Sequence, residues 1–189
     1  MILSRADLLD YIEKGKLKFE PPINSDRVAQ VSVDLSLGRK FTTFKDPPKY
    51  LTAVNIDHSL WESADLWNHV EQDTFRLEPG NFVLAQTLEK ICIPDDVVGL
   101  VEGRSSWARM GVTIHVTAPK IDPGFDAQIT LEMFNFGKLA VELRARIDKP
   151  AQLMLLRLTS PLKEQDLYGK GKDDRFQGQT SPIPHNRKG

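Results

Sequence analysis

Ile129-Thr130-Leu131-Glu132-Met133-Phe134 alternates with period two, which predicts a β-strand carrying Ile129, Leu131 and Met133 on one face and Thr130, Glu132 and Phe134 on the other. The chain around it has the same texture. From Thr74 onward, short apolar or alternating runs are separated by turn signals at Pro79-Gly80, Pro94-Asp95-Asp96, Gly103, Pro123-Gly124, Gly137-Lys138 and Lys149-Pro150. Short strands at this spacing predict a mainly β fold, a distorted barrel or jelly roll. Toward the N-terminus, Val31, Val33, Leu35 and Leu37 alternate with Ser32, Asp34 and Ser36 before Gly38, and Phe41 to Phe44 reads as a further strand. The chain opens with a short helix. Ser4 can cap it, Asp7 stands three residues on as in a capping box, Leu8, Leu9 and Ile12 recur at helical spacing, and Gly15 stops it. Asp46-Pro47-Pro48 is a loop, and residues 55–73, with Trp61, Trp67 and His69, show neither periodicity and read as an irregular excursion.

At 189 residues and 40% hydrophobic content the chain can bury one sizeable core, so residues 1–189 are expected to form a single domain. Residues 163–189 are rich in Lys, Asp, Gly, Gln and Pro, which predicts a flexible C-terminal tail, mobile until something pins it. The formal net charge of -1 supplies no global field for a nucleic-acid polymer or an anionic membrane, so anion binding has to be local. Cys92 is the only cysteine, which excludes an intrachain disulfide and fits a reducing compartment, the cytoplasm by default. No apolar run approaches the ~20 residues that span a bilayer, and a soluble protein is expected.

Chemistry concentrates between Gly103 and Asn135. Arg104 and Arg109 flank Ser105, Ser106 and Ala108 just after a glycine, a pattern that either grips phosphate oxygens or forms an ordinary surface loop with solvated arginines. Glu132 on its strand is either a solvent-facing carboxylate or, partly buried beside Phe134, one whose raised pKa suits it to take a proton from water and return it to a substrate nitrogen. Asp122, before Pro123-Gly124, either caps its own turn or contacts a ligand. Phe125 reads first as core, and His115 first as a hydrogen-bonded structural histidine. His69-Val70-Glu71 matches half of a zinc deaminase signature, but one cysteine cannot supply the other half, so no zinc is expected. The four histidines show no regular ligand spacing.

Taken together, Gly103-Arg-Ser-Ser-Trp-Ala-Arg109, His115-Val-Thr-Ala118, Ile121-Asp-Pro-Gly-Phe125, Thr130-Leu-Glu132 and Phe176-Gln-Gly-Gln179 resemble the signature of the dCTP deaminase family. Val31 to Gly38 and the Met-Ile-Leu-Ser opening are similar to that family as well, and residues 45–73 match least. The resemblance implies a trimeric dUTPase-like β-fold with active sites between subunits, and zinc-independent hydrolysis of dCTP to dUTP and ammonia. It implies Glu132 as proton shuttle. Ser105, Arg109, Arg104 and Ser106 fall on positions that bind phosphates and order the catalytic water, and Ala118 lies in a matching substrate loop. Asp122 falls on the deoxyribose contact, Thr130 and Leu131 frame the base, and Tyr168, Arg175 and Gln179 fall on tail positions that close over the nucleotide. Mg²⁺ would arrive mainly on the triphosphate, with no dedicated cage. Feedback inhibition by dTTP is a further trait the resemblance suggests, though no motif here demonstrates it.

Two departures stand out. Arg175-Phe176 replaces the family's usual Lys-Tyr, which keeps the charge but changes the geometry offered to a phosphate. Thr117-Ala118-Pro119-Lys120 is closer to members that only deaminate than to those that also cleave the triphosphate to dUMP, so a deaminase that stops at dUTP is favoured over a bifunctional enzyme. A plain dUTPase, which needs no proton shuttle at Glu132, and a non-catalytic nucleotide-binding protein are the other readings.

Overall fold

The capping box forms as the sequence predicts: Ser4 Oγ accepts the Asp7 amide at 3.4 Å and Asp7 Oδ2 accepts the Ser4 amide at 3.0 Å, starting α1 (Arg5–Glu13) with Leu8 and Tyr11 buried. This is a computed structural model, and it describes residues 1–46, 66–171 and 174–183. After α1 come β1 (Lys18–Glu20), β2 (Val33–Leu35), β3 (Lys40–Phe44), β4 (Trp67–Glu71), β5 (Thr74–Leu77), β6 (Phe82–Cys92) and β7 (Val97–Gly103). A single-turn helix, α2 (Ser105–Ala108), follows β7, and then β8 (Val112–Thr113), β9 (Lys120–Ile121), β10 (Asp126–Asn135), β11 (Val141–Arg144) and β12 (Ala151–Arg157). Every predicted turn signal from Pro79 onward falls between strands or at the end of one.

The strands form a six-stranded sheet ordered β4-β3-β6-β10-β8 with β1 also on β6, a four-stranded sheet ordered β2-β12-β7-β9, and the pair β11-β5. Among the described residues no sheet closes into a barrel, and the fold is the mainly β arrangement with a short N-terminal helix that the sequence predicts. The core is one cluster filled by Val83, Ala85 and Ile91 of β6, Ala127 to Met133 in alternation on β10, Val97 and Val101 of β7, and Leu153 and Leu155 of β12. Each fully buried Val, Leu, Ile or Met among them contributes about 1.5–3 kcal/mol, and each alanine less. Among the described residues no helix is long and apolar enough to cross a membrane.

Two differences from the sequence reading have local causes. The strand expected from Val31 to Leu37 is regular only over Val33–Leu35, because Ala29 N–H bonds to Ser32 O at 2.8 Å in a turn that leaves Val31 exposed. Within the stretch expected to be irregular, Trp67–Glu71 pairs along all of β3, with Phe44 stacked on Trp67 at 4.4 Å. Residues 55–65 of that stretch lie outside the described residues.

A bulge on β6 shapes the site side of the large sheet. Between Gln128 and Thr130, β10 advances two residues while its partner on β6 moves from Lys90 to Gln86. The extra β6 residues would orphan carbonyls, and Gln128 prevents it by donating Nε2 to Thr87 O and Leu88 O, both at 3.0 Å. The Thr87 hydroxyl accepts Ile129 N–H at 2.9 Å and donates to Glu89 O at 2.8 Å.

Candidate active site

Along β10 the burial alternates strictly, with Ile129, Leu131 and Met133 in the core and Thr130, Glu132 and Phe134 half-buried on the outer face. Glu132 is therefore half-buried rather than fully solvent-facing. Its Oε2 accepts the Val116 amide at 3.1 Å, so the loop carrying exposed Val116, Thr117 and Ala118 is tied to the carboxylate. Leu131 is only 1% exposed, so its side chain belongs to the core and only its backbone can frame a ligand. His115 Nε2 lies 3.3 Å from Glu102 Oε2, beside β7 rather than on Glu132, and its Nδ1 is buried with no partner among the described residues.

The Asp122-Pro123-Gly124-Phe125 turn forms next to this face. The turn closes through the main chain, Asp122 O accepting Phe125 N–H at 3.1 Å, while the Asp122 carboxylate pairs with Lys120 Nζ at 2.8 Å and keeps an edge toward solvent. Phe125 is core, tilted against Tyr168 at 5.8 Å. A cavity of about 360 Å³ opens here, with Asp122, Asp166, Asp174 and Tyr168 among its lining residues. Its acidic walls suit hydroxyl groups and repel a triphosphate.

Gly124 holds the turn at φ +89°, and a Cβ built there would sit 2.8 Å from Leu167 Cβ and 3.0 Å from the Tyr168 amide. Gly124→Ala is thus expected to cost about 1–3 kcal/mol and to loosen Tyr168. Thermal melting of the variant should show the loss, and its nucleotide KM should rise with it.

The tail is pinned across the β10 edge. Gln179 O accepts Gln128 N–H at 3.3 Å, Asp126 O accepts Gly178 N–H at 3.1 Å, and Gln177 bonds the Asp126 amide and Gly124 O, both at 2.9 Å. Gln179 Nε2 donates to Gln128 O at 2.8 Å and to Thr130 Oγ1 at 3.3 Å, the Thr130 hydroxyl reaches Pro182 O at 3.3 Å, and Lys40 Nζ reaches Thr180 O at 2.7 Å. Since both bonds fix Nε2, the orientation of the Gln179 amide is set, and its Oε1 is buried with no partner among the described residues. A buried acceptor of this kind is costly unless a ligand donor or a water meets it. Phe176 N–H donates to the Tyr168 hydroxyl at 3.0 Å, while Arg175 is exposed.

The arginine and serine group follows β7. Gly103 ends β7, Arg104 N–H bonds Pro150 O at 3.0 Å, and α2 then exposes Ser105, Ser106 and, just past its end, Arg109. Arg109 makes no ion pair among the described residues, whereas Arg104 Nη1 pairs with Asp34 Oδ2 at 3.1 Å. No hydrogen bond or ion pair joins these side chains to Glu132, Asp122, Thr130 or Gln179 among the described residues. The structure thus gathers the predicted residues into two groups, a carboxylate and glutamine face on β10 and an arginine and serine turn after β7. Sequence reading missed Gln128, whose carboxamide closes the β6 bulge. Nothing in its alternation separates it from any strand glutamine. Among the described residues no three His, Cys, Asp or Glu side chains converge to hold a metal. Cys92 is free and half-buried, and burial pushes its thiol pKa up, which makes it a poor nucleophile.

A mainly β chain with a half-buried strand carboxylate, a cationic hydroxyl-rich turn and a pinned glutamine tail has the parts of a nucleotide-handling protein. A family model described as dCTP deaminase-like matches residues 2–158, and the chain belongs to that family. It is 40% identical over 188 residues to a protein from Methanosphaera stadtmanae named "dCTP deaminase, dUMP-forming", covering 96% of this chain and 91% of the relative. A protein named "dCTP deaminase" from Alteromonas mediterranea is 35% identical over 192 residues, covering 97% of this chain and 94% of the relative. The solved 2'-deoxycytidine 5'-triphosphate deaminase from Agrobacterium tumefaciens shares the fold at a TM-score of 0.64 and 20% identity, covering 87% of this chain, which spans 50% of that one.

Proposed function

We propose that the chain hydrolyses dCTP to dUTP and ammonia without zinc, as a cytoplasmic enzyme that supplies the dUTP from which thymidine nucleotides are made. The observation that carries this reading is the placement of Glu132, half-buried on the outer face of β10, with one carboxylate oxygen held by the Val116 amide. With the cytosine ring over Thr130 and the Leu131 backbone, Glu132 takes a proton from a water as its oxygen attacks C4, and passes that proton to N3. It then assists proton transfer to the amine as the C4–N4 bond breaks, so that one water is consumed and one ammonia leaves. Gln179 Oε1, buried and unpartnered beside Thr130, is an acceptor for the exocyclic amine that distinguishes cytosine from uracil.

Arg104, Ser105, Ser106 and Arg109 bind the triphosphate and order the water, while Asp122 and Tyr168 contact the deoxyribose side and Arg175 offers a second cation from the tail. No hydrogen bond or ion pair joins the phosphate group to the base group among the described residues, and the family resemblance points to a homotrimer with its active sites between subunits. Mg²⁺ would enter on the phosphates, and dTTP would compete for the same site.

A second reading, release of dUMP and diphosphate, is favoured by the name of the Methanosphaera relative. Against it stands Thr117-Ala118-Pro119-Lys120, where proline removes a backbone donor from the loop next to the site. Incubation with dCTP and Mg²⁺, followed by quantification of ammonia, dUTP, dUMP and diphosphate, separates the two. Equimolar ammonia and dUTP are expected. Direct formation of dUMP and diphosphate would establish the bifunctional reading, and nucleotide cleavage or binding without ammonia would remove the deaminase reading altogether.

A further inference from the structure

We infer that Asp34 is a positioning residue that fixes the guanidinium of Arg104 for triphosphate binding, an inference that rests on the phosphate role proposed for Arg104. Asp34 sits on β2, and its Oδ2 lies 3.1 Å from Arg104 Nη1, which also approaches Lys149 O at 3.5 Å. The aspartate side chain is 20% exposed and the arginine 41%, so the pair seals one edge of the guanidinium against the sheet and leaves the rest facing out. An arginine has five N–H donors in a fixed fork, and holding one edge leaves the others aligned for a bidentate phosphate contact.

Asp34 is itself held on two sides. Arg27 donates Nε and Nη2 to the Asp34 carbonyl, and Arg27 Nη2 pairs at 2.9 Å with Glu89, whose Oε2 accepts Ser36 N–H at 3.0 Å. Asp34 also faces Gln152 across the β2–β12 ladder. Arg104 therefore leans on a carboxylate carried by a braced stretch of backbone, whereas Arg109 has no ion-pair partner among the described residues. The two arginines of the motif differ in kind: Arg104 is preorganised, and Arg109 must be ordered by its ligand.

Preorganisation shows in binding rather than in the chemical step. Immobilising a long side chain on binding weakens affinity by roughly two- to tenfold, so Asp34→Ala should raise the Kd for dCTP and the KM by roughly that factor, with kcat little changed. The test is a cycle of Asp34→Ala, Arg104→Ala and the double variant in the full-length chain, titrated by calorimetry with dCTP and with inorganic tripolyphosphate, alongside thermal melts. Two further results are expected: the Asp34 effect vanishes in the Arg104→Ala background, and Asp34→Asn, which keeps an acceptor, recovers part of the loss.

An equal effect in both backgrounds would overturn the inference, since Asp34 would then act through the fold. An unchanged or tighter Kd in Asp34→Ala would overturn it by marking the carboxylate as a bystander or a competitor of the phosphates. If Arg104→Ala binds dCTP as the wild type does, the inference falls while deamination stands. Binding coupled as expected but without ammonia release would sink the deaminase reading and leave this inference intact.

Discussion

Glu132→Gln is expected to lower ammonia release from dCTP by about 10²–10⁴-fold, the range that a positioned general acid and base contributes. Glutamine keeps an oxygen for the Val116 amide, so the 114–118 loop should stay where Glu132 now holds it, and dCTP binding should survive. The loss should appear in kcat. Single-turnover measurement of ammonia with a parallel binding titration reads both quantities. A glutamine variant that turns over at the wild-type rate would remove Glu132 from the proton path and leave its strand position without a chemical role.

Arg27→Ala is expected to destabilise the fold strongly. Glu89 is 1% exposed and sits 2.9 Å from Arg27 Nη2, so deleting the arginine leaves a buried carboxylate whose remaining hydrogen bond among the described residues is to the Ser36 amide. Breaking such a pair costs about 3–5 kcal/mol. In a chain of this size that corresponds to a melting temperature lower by about 6–20 °C. Neutralising the survivor should help: Arg27→Ala with Glu89→Gln keeps an acceptor for Ser36 without the stranded charge, and is expected to melt above Arg27→Ala alone. Equal melting of the single and double variants would show that the buried charge is not the cause.

What the sequence made legible followed from local physics. The capping box at Ser4 and Asp7, the two-residue period of β10 and the turn residues between strands each depend on near neighbours, and each formed as expected. The large sheet's far edge was not legible, because β4 has no alternation of its own and becomes a strand only through its pairing with β3. Equally silent were the β6 bulge and the Arg27–Glu89 pair, which join residues 62 positions apart and leave no mark in either local pattern. At the candidate site the residue types were readable as motifs, but the division into two groups was not. It depends on β7 and β10 standing in different sheets. The tail offered too little apolar surface to predict its place, and its contacts with β10 run mainly through backbone groups and glutamine amides, which composition does not reveal.

The most direct test of hydrolytic deamination at this site is to run the reaction on dCTP in water enriched with heavy oxygen and to weigh the nucleotide product by mass spectrometry. The account predicts one solvent oxygen at C4 of the uracil ring for each ammonia released, with both signals lost together in Glu132→Gln. Ammonia without ring label, or label confined to the phosphates, would contradict it.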